Sequence, residues 1–318
     1  MSILEFDHAS DGNPLKELQD ALRRMDELER ATPTGFFNWG DTGSGSSGTT
    51  MNTPGNVTVP TSSDYSIGNH PLALARVISM YKALPGLVGF WPMSAVRRDS
   101  ATEQARDVSG AGYHLTNNNA AQFGYADYTP YCAFNGTTQY LSRADGGAGN
   151  WADIIGTETS VAAAARGLTM GCWFNFDAVP AADKYLMAKL SGGAGNFSYF
   201  LRGNNDGRIR GGVSVDGTNI VARSYAATNI TASTWIFSVM RFDPSTSVTV
   251  WYNSNNEGNR TSVPAAIFDG SADFTIGARH AGNSPMAGKI ALGFLCMAQL
   301  DSFTIFALYQ LSRALFGV

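Results

Sequence analysis

The sequence predicts a mainly β protein: a two-sheet antiparallel jelly-roll sandwich with a short C-terminal helix and an N-terminal helix plus extended arm. Three observations predict it. From Gly86 onward, apolar residues recur with the period of two that is typical of half-buried strands. Turn signals such as Asn135-Gly136 and Asp206-Gly207 separate these runs. Only 15% of the 318 residues are charged, whereas 35 are glycine, which favours short strands joined by tight turns.

Residues 1–31 are predicted to form an amphipathic helix that tethers the protein to an assembly. In the segment PLKELQDALRRMDELER, Leu15, Leu18, Leu22 and Met25 fall at heptad a and d positions. Two heptads alone make a marginal coiled coil. We therefore expect the stripe to bind a partner, which is a sister copy of the chain, another protein or the chain's own sandwich, with an intermolecular role favoured.

An arm and a second helix follow the first helix. Residues 32–70 are rich in Gly, Ser and Thr, and the segment is predicted to be an extended arm because this composition is typical of linkers. In residues 71–85, the segment PLALARVISMYKAL repeats its apolar positions as a helix does. The helix is predicted to end before Pro85-Gly86, which is a stop and turn signal.

The sandwich is predicted to occupy residues 86–318. Trp173 and Trp235 lie in apolar strands and are expected to be buried on its inner faces. Near the C-terminus, an apolar run is interrupted by Gln299 and Asp301, whereas a membrane span needs about 20 uninterrupted apolar residues. This run is therefore predicted to be a core strand followed by a docked helix, and no membrane insertion is expected.

Charge and cysteine content argue against several classes of function. The net charge is −4, and the basic stripe that a nucleic-acid surface needs is missing. Cys132, Cys172 and Cys296 are far apart in apolar runs without metal-binding spacing, so we expect buried free thiols. The first residues include early acids and lack the apolar core of a signal peptide, so export by a signal peptide is not expected.

Several separate segments match one fold pattern in order. GLVGFWPM resembles an opening strand, ARDVSGAGYHLT an Asp-x-Ser-Gly-x-Gly turn, and AFNGTTQYLS a Phe-Asn-Gly turn followed by Tyr-Leu. LTMGCWFNF and STWIFSVMRFDPSTSVTVWYNS resemble the tryptophan strands, and GKIALGFLCMAQL with FTIFALYQLSRAL resembles the final strand and closing helix. Residues 86–318 thus resemble the concanavalin A-like, laminin-G-like jelly rolls. The resemblance is specific for the fold and not for function, because this fold hosts lectins, glycosidases and structural modules.

The resemblance also bears on enzymatic activity. Glucanases of this fold carry a Glu-x-Asp-x-Glu strand, because glycoside hydrolysis needs two carboxylates facing the scissile bond. No strand of this sequence has that pattern, and FSYFLRG and RIRGGVSV carry arginines instead. None of the four histidines lies in a catalytic motif. We therefore expect no enzymatic activity.

The segment NFSYFLRGNNDGRIRGGVSV is the candidate ligand-binding hairpin. With Gly203–Gly207 as the loop, Arg202 is expected opposite Arg208, and Phe200 opposite Arg210. Alternation then places Phe200, Arg202, Arg208 and Arg210 on one face. Three interpretations stay open for this face: binding of a sugar or an acidic glycan, a protein interface, or a solvated surface.

A calcium ion is the one cofactor that the resemblance implies. Relatives of this fold often hold one, and Asp107 in the Asp-Val-Ser-Gly turn is the best-matched ligand in this sequence. Calcium prefers six to eight hard oxygen ligands. The alternative is that the Asp107 carboxylate bonds the amides of its own turn.

Together these features predict a non-enzymatic virion structural protein. Its layout resembles a bacteriophage tail, fibre or capsid-decoration component with an outward-facing lectin-like module. Such a protein would be assembled in the host cytoplasm as a homo-oligomer, would contact other virion subunits, and would be exposed on the particle surface. The alternative is a carbohydrate-binding protein for host-surface attachment, and the third hypothesis is a glycan-processing enzyme.

Overall fold

The computed structural model describes residues 71–96, 103–126, 129–145, 167–192, 196–268 and 270–318. The predicted N-terminal helix with Leu15, Leu18, Leu22 and Met25, and the predicted arm of residues 32–70, lie outside these ranges. The described part consists of a helical layer and two β-sheets. Neither of its two α-helices is long and apolar enough to cross a membrane.

The first helix, α1 (Pro71–Lys82), starts at a proline and lies within the predicted range. The second helix is α2 (Ser302–Ser312). The Asp301 side chain caps it by accepting a hydrogen bond from the Thr304 N–H. The strands are β1 Leu87–Trp91, β2 Ala95–Val96, β3 Gln104–Ala105, β4 Leu115–Asn118, β5 Gln122–Ala126, β6 Thr129–Asn135, β7 Tyr140–Arg143, β8 Leu168–Phe176, β9 Lys184–Leu190, β10 Phe197–Gly203, β11 Arg208–Ser214, β12 Ile220–Asn229, β13 Ile236–Asp243, β14 Ser247–Tyr252, β15 Asn255–Arg260, β16 Phe274–Ile276 and β17 Ala287–Cys296.

The strands form two antiparallel sheets, which confirms the predicted sandwich. One sheet has eight strands in the order β15-β14-β13-β8-β17-β6-β5, with β1 also paired to β17. The other has nine strands in the order β12-β11-β10-β9-β16-β7-β4-β3-β2. Sequence neighbours such as β10 and β11 form hairpins, whereas β17 returns from late in the chain to the centre of its sheet.

The main core lies between the two sheets. Along β8, Met170, Cys172, Phe174 and Phe176 point into this core because their side chains alternate with those of the opposite face. Large apolar residues of the nine-stranded sheet, such as Tyr199, complete it. All three cysteines are buried and free. Burial raises the pKa of each thiol far above its usual value, so these groups stay protonated and act as small apolar side chains.

A second core lies on the outer face of the eight-stranded sheet, beneath the helices. Trp173 is fully buried there, with its ring 4.3 Å from Phe316 and 5.7 Å from Tyr309 between centroids. Its indole N–H donates to the Ser312 hydroxyl at 2.8 Å. Trp173 is therefore buried as expected but not on an inner face of the sandwich. Trp235 is only half-buried at the margin of the same core. The helical cover makes β8 apolar on both faces, so alternation alone does not indicate which face meets the other sheet.

One side of the sandwich is closed by a side-chain bridge between the sheets. The edge strands β12 and β15 belong to different sheets. The Glu257 carboxylate on β15 accepts bonds from the Thr228 N–H and the Thr228 hydroxyl of β12, both at 2.7 Å. This bridge satisfies edge donors that would otherwise be available to another strand.

Candidate functional site

The candidate hairpin is built by β10 and β11 around a tight turn. The Gly207 N–H donates to the Asn204 carbonyl at 2.9 Å, and the Asn204 N–H donates to the Arg208 carbonyl at 2.7 Å. Gly207 has a φ of 77°, which is the left-handed conformation that follows a type I turn in such hairpins. Hydrogen bonds from Asn204 and from the Arg208 N–H lower the pKa of the turn residue Asp206, outweighing the opposing effect of desolvation.

The turn places the two strands in a register that differs from the expected one. Arg202 lies opposite Arg210, and Phe200 lies opposite Gly212. The expected pairs, Arg202 with Arg208 and Phe200 with Arg210, were wrong because the pairing continues to Asn204 and so shortens the loop. The difference is two residues, and an even slip leaves each side chain on its expected face.

The hairpin presents two different faces. Tyr199, Leu201, Ile209 and Val213 point into the main core. Phe200 instead packs with Tyr185 in a small apolar cluster outside that core. We use the term outer face for the side of the nine-stranded sheet that points away from the eight-stranded sheet.

A row of four side chains crosses this outer face. Strand register places Tyr185 of β9 opposite Arg202 of β10, Arg202 opposite Arg210 of β11, and Arg210 opposite Tyr225 of β12. The Arg202 guanidinium carbon lies 5.4 Å from the ring centroid of Tyr185 and 4.9 Å from that of Phe200. The corresponding distance from Arg210 to the Tyr225 ring is 4.4 Å. We call these four residues the arginine row. Three strand spacings make it roughly 14 Å long.

Polar side chains hold both guanidinium groups in place. Arg202 Nη1 donates to the Tyr185 hydroxyl at 2.8 Å and lies 2.5 Å from the Asp183 carboxylate. Asn204 Oδ1 accepts bonds from Arg202 Nη2 at 3.1 Å and from Arg210 Nη1 at 3.3 Å. One amide oxygen therefore bridges the two arginines, and one carboxylate balances part of their charge.

The four predicted ligand-binding residues differ in how far they are exposed to solvent. Phe200 is 2% exposed, so the stacking surface expected of it is covered by neighbouring side chains. Arg202 and Arg210 are each 8% exposed and form the floor of the site. Arg208 is exposed, and its Nε donates to Asn229 Oδ1 at 3.4 Å. The accessible ring of the site belongs to Tyr225, which is 38% exposed.

Four residues of the site were missed from the sequence: Tyr185, Tyr225, Asn204 and Asp183. Tyr185 lies on β9 and Tyr225 on β12, and only the register between strands brings them beside the arginines. Asn204 lies within the segment Gly203–Gly207, which was predicted to be the loop of the hairpin. Asp183 precedes β9, and nothing local in the sequence relates it to Arg202.

The predicted calcium ligand Asp107 serves its own turn. Its Oδ1 accepts bonds from the N–H groups of Phe90 at 3.0 Å and Ser109 at 2.9 Å. Its Oδ2 accepts from the Ser109 hydroxyl and the Tyr113 N–H, both at 2.8 Å. The donors from Ser109 and Tyr113 belong to the turn itself and agree with the alternative that the sequence left open, whereas the Phe90 N–H lies on β1. Among the described residues, no group of three or more His, Cys, Asp or Glu side chains is arranged to hold a metal ion.

Comparison of the sequence with family models gives a match that does not depend on the structure. Residues 145–292, just under half of the chain, match the Laminin_G_3 model of the concanavalin A-like lectin/glucanases superfamily. The predicted resemblance to this superfamily is therefore confirmed over these residues, and the two-sheet sandwich agrees with the jelly-roll fold that it implies. Comparison with curated proteins found no match to this sequence.

Solved structures share the fold at low sequence identity. The binding domain of Paraclostridial mosquitocidal protein 1 is 10% identical, with a TM-score of 0.50 over 70% of this chain and 52% of that chain. The ligand binding domain of botulinum neurotoxin serotype D, in complex with N-acetylneuraminic acid, is 9% identical, with a TM-score of 0.51 over 74% and 52%. A Trypanosoma rangeli sialidase mutant displaying trans-sialidase activity is 15% identical, with a TM-score of 0.51 over 78% and 38%. This chain thus spans about half or less of these structures, and the likeness shows the fold alone.

Proposed function

We propose that the protein is a non-catalytic, lectin-like recognition module that binds a glycan on the outer face of its nine-stranded sheet. The observation that carries the proposal is the arginine row. It combines the exposed ring of Tyr225 with two guanidinium groups that are fixed by stacking and by Asn204. Aromatic rings stack on the apolar faces of sugars, while guanidinium N–H groups donate to sugar oxygens. A rigid sheet holds these groups in place before any ligand binds.

The same row supports recognition over hydrolysis. Glycoside hydrolysis uses two carboxyl groups that flank the scissile bond, and one of them must be protonated. The carboxylate seen at the arginine row is that of Asp183, which forms an ion pair with Arg202 at 2.5 Å. This carboxylate serves as the counter-ion of Arg202, which differs from the pair of carboxyl groups flanking a bound sugar that hydrolysis needs.

The comparisons give additional support of a general kind. The botulinum neurotoxin domain of this fold is seen in complex with N-acetylneuraminic acid, which is a sugar. For the present chain, this favours a sugar over a peptide as the ligand.

Screening the full-length protein on a glycan array, followed by calorimetry on the best ligand, tests the proposal. Tyr225→Ala removes the accessible ring, and we expect it to weaken binding at least about tenfold, which corresponds to roughly 1.4 kcal/mol. Tyr125→Ala is the matched control, because Tyr125 is 66% exposed on β5 of the other sheet. Failure of every glycan to bind, or equal losses in both variants, would contradict the proposal.

We also propose that several copies of this module are carried on a virion surface, as a bacteriophage tail, fibre or capsid-decoration component. The heptad stripe of Leu15, Leu18, Leu22 and Met25 supports this, since it needs a partner helix. Multiple copies would turn weak single-site binding into firm attachment through effective concentration.

The oligomer is tested by measuring the mass of the full-length chain and of residues 71–318 in solution. We expect the full-length chain to be an oligomer and the shorter chain to be a monomer. Replacing Leu18 and Leu22 by Asp should give the same result as the deletion. A monomeric full-length chain would contradict the tether.

A further inference from the structure

We propose that the arginine row recognises a carboxylate group on a sugar, and that Asp183 occupies the position of that carboxylate in the free protein. The inference rests on the proposed function, because it names the class of glycan that the same site binds. It follows from three features of the row: the pairing of two like charges, the orientation of their donors and the incomplete bonding of Asp183.

The first feature is the placement of Arg202 directly opposite Arg210. Like charges at directly opposite positions of neighbouring strands destabilise a sheet. Both side chains are 8% exposed, so solvent screens their repulsion less than it would at the surface.

The second feature is the stacking of each guanidinium group on a ring. Arg202 stacks near Phe200 and Tyr185, and Arg210 stacks on Tyr225. A stacked guanidinium keeps its N–H donors in the plane of the group, where they can bond an acceptor edge-on. A planar carboxylate matches such donors with two parallel hydrogen bonds, which also gives geometric selectivity.

The third feature is the bonding of Asp183. Its Oδ2 pairs with Arg202, whereas its Oδ1 is buried and has no hydrogen-bond partner among the described residues. A buried acceptor without a partner destabilises the folded protein. The Asp183 side chain is 35% exposed and directly precedes β9, so it lies where a ligand can replace it. An incoming carboxylate could accept hydrogen bonds through both of its oxygens, whereas Asp183 pairs with Arg202 through one oxygen.

These features favour carboxylate-bearing sugars, namely sialic and uronic acids. A sulfate ester carries the same negative charge, but its tetrahedral oxygens match a planar donor edge less well. Neutral sugars lack the negative charge that the two guanidinium groups of the row attract. With its carboxylate at Arg202, the sugar can extend along the row towards Arg210 and the exposed ring of Tyr225.

The first test uses the unmodified full-length protein and needs no variant. Calorimetry or saturation-transfer NMR compares the methyl glycosides of N-acetylneuraminic acid and glucuronic acid with their carboxyl methyl esters and with glucose 6-sulfate. We expect at least one free acid to bind about tenfold or more tightly than its ester and than the sulfate. Its affinity should also fall as salt is raised. Binding of acid and ester with equal affinity would overturn the inference while leaving the proposed function intact. If no sugar binds here or on the glycan array, both fail.

The second test uses variants of the row. Arg202→Lys keeps the charge but removes the planar donor edge that pairs with Asp183, so we expect it to weaken binding of the free acid about tenfold. Asp183→Asn removes the competing charge, and we expect tighter binding of the same acid. Asp301→Asn is the charge-matched control, because Asn also caps helices and α2 lies against the other sheet. Unchanged affinity in Asp183→Asn, in a protein that melts cooperatively, would show that Asp183 does not occupy the ligand's position.

Discussion

Trp173 is the residue that ties the helical layer to the eight-stranded sheet. Its ring contacts Phe316, Tyr309 and Phe237, and its N–H bonds Ser312 near the end of α2. Its side chain is fully buried, whereas Trp235 at the margin of the same cluster is half-buried. The two tryptophans therefore differ in how much packing each supplies.

We expect Trp173→Ala to lower the free energy of unfolding by about 3–5 kcal/mol, which is the usual cost of truncating a large buried aromatic residue. Trp235→Ala should cost clearly less, since its side chain is already partly hydrated in the folded state. Urea unfolding of both variants measures the difference. Trp173→Phe is the intermediate variant, because it keeps one aromatic ring while removing the N–H donor and the second ring of the indole. Equal losses for Trp173→Ala and Trp235→Ala would show that the second core is not organised around Trp173.

At the scale of single residues, alternation along one strand was the reliable signal. It separated Tyr199 and Leu201 from Phe200 and Arg202 correctly, because side chains of a strand alternate regardless of the exact register. It did not predict that Phe200 is covered. That burial depends on Tyr185 of β9, a neighbour fixed by the pairing between strands and not by the local sequence.

Among the elements, the β10–β11 hairpin sets the geometry of the candidate site. Its turn positions Asn204, whose oxygen accepts bonds from both arginines of the row. This turn itself depends on Gly207, which has a φ of 77°. A Cβ atom at this position would lie 3.0 Å from Val179 Cγ1.

We expect Gly207→Ala to destabilise the protein by about 1–2 kcal/mol, because a non-glycine residue is strained in the left-handed conformation. The same variant should weaken glycan binding, since a displaced Asn204 no longer fixes the two guanidinium groups. Thermal unfolding and calorimetry measure the two effects. Val215→Ala, just beyond the other end of β11 at a position that is 47% exposed, should change stability by less than about 0.5 kcal/mol. A Gly207→Ala protein as stable as the parent would mean that the turn tolerates a different conformation.

Strand prediction succeeded for the apolar strands and failed for the polar or very short ones. LTMGCWFNF and FSYFLRG match β8 and β10 at both ends. By contrast, β15 has the sequence NNEGNR and shows no apolar alternation. It is a strand because a hairpin brings its backbone beside β14, and Glu257 then bonds Thr228. Such a strand is stabilised by backbone pairing, which hydrophobic periodicity does not report.

On the scale of the whole molecule, the described residues after position 70 form two cores and three layers. Residues 65–318 form one compact unit. Both helices and both sheets of the described structure lie within it.

A fragment of residues 71–318 is therefore expected to fold without the N-terminal region and to unfold in a single cooperative transition. The physical reason is that the inter-sheet core and the helix-covered core share the strands of one sheet, so neither core can be lost alone. Circular dichroism and tryptophan fluorescence should report the same melting temperature. Two separate transitions, or none, would show that the layers do not form one cooperative unit.

The position of β17 has a consequence for the protein as it is being synthesised. This strand pairs with β6, β8 and β1, yet it is made long after all three of them. The Thr129 hydroxyl bonds the Leu315 carbonyl, 186 residues further along the chain. At about 5–20 residues per second, a ribosome leaves β8 without this neighbour for roughly ten seconds. The nascent chain therefore exposes unpaired strand edges and the uncovered ring of Trp173 until its last residues emerge, so successful production depends on protecting the growing chain from aggregation.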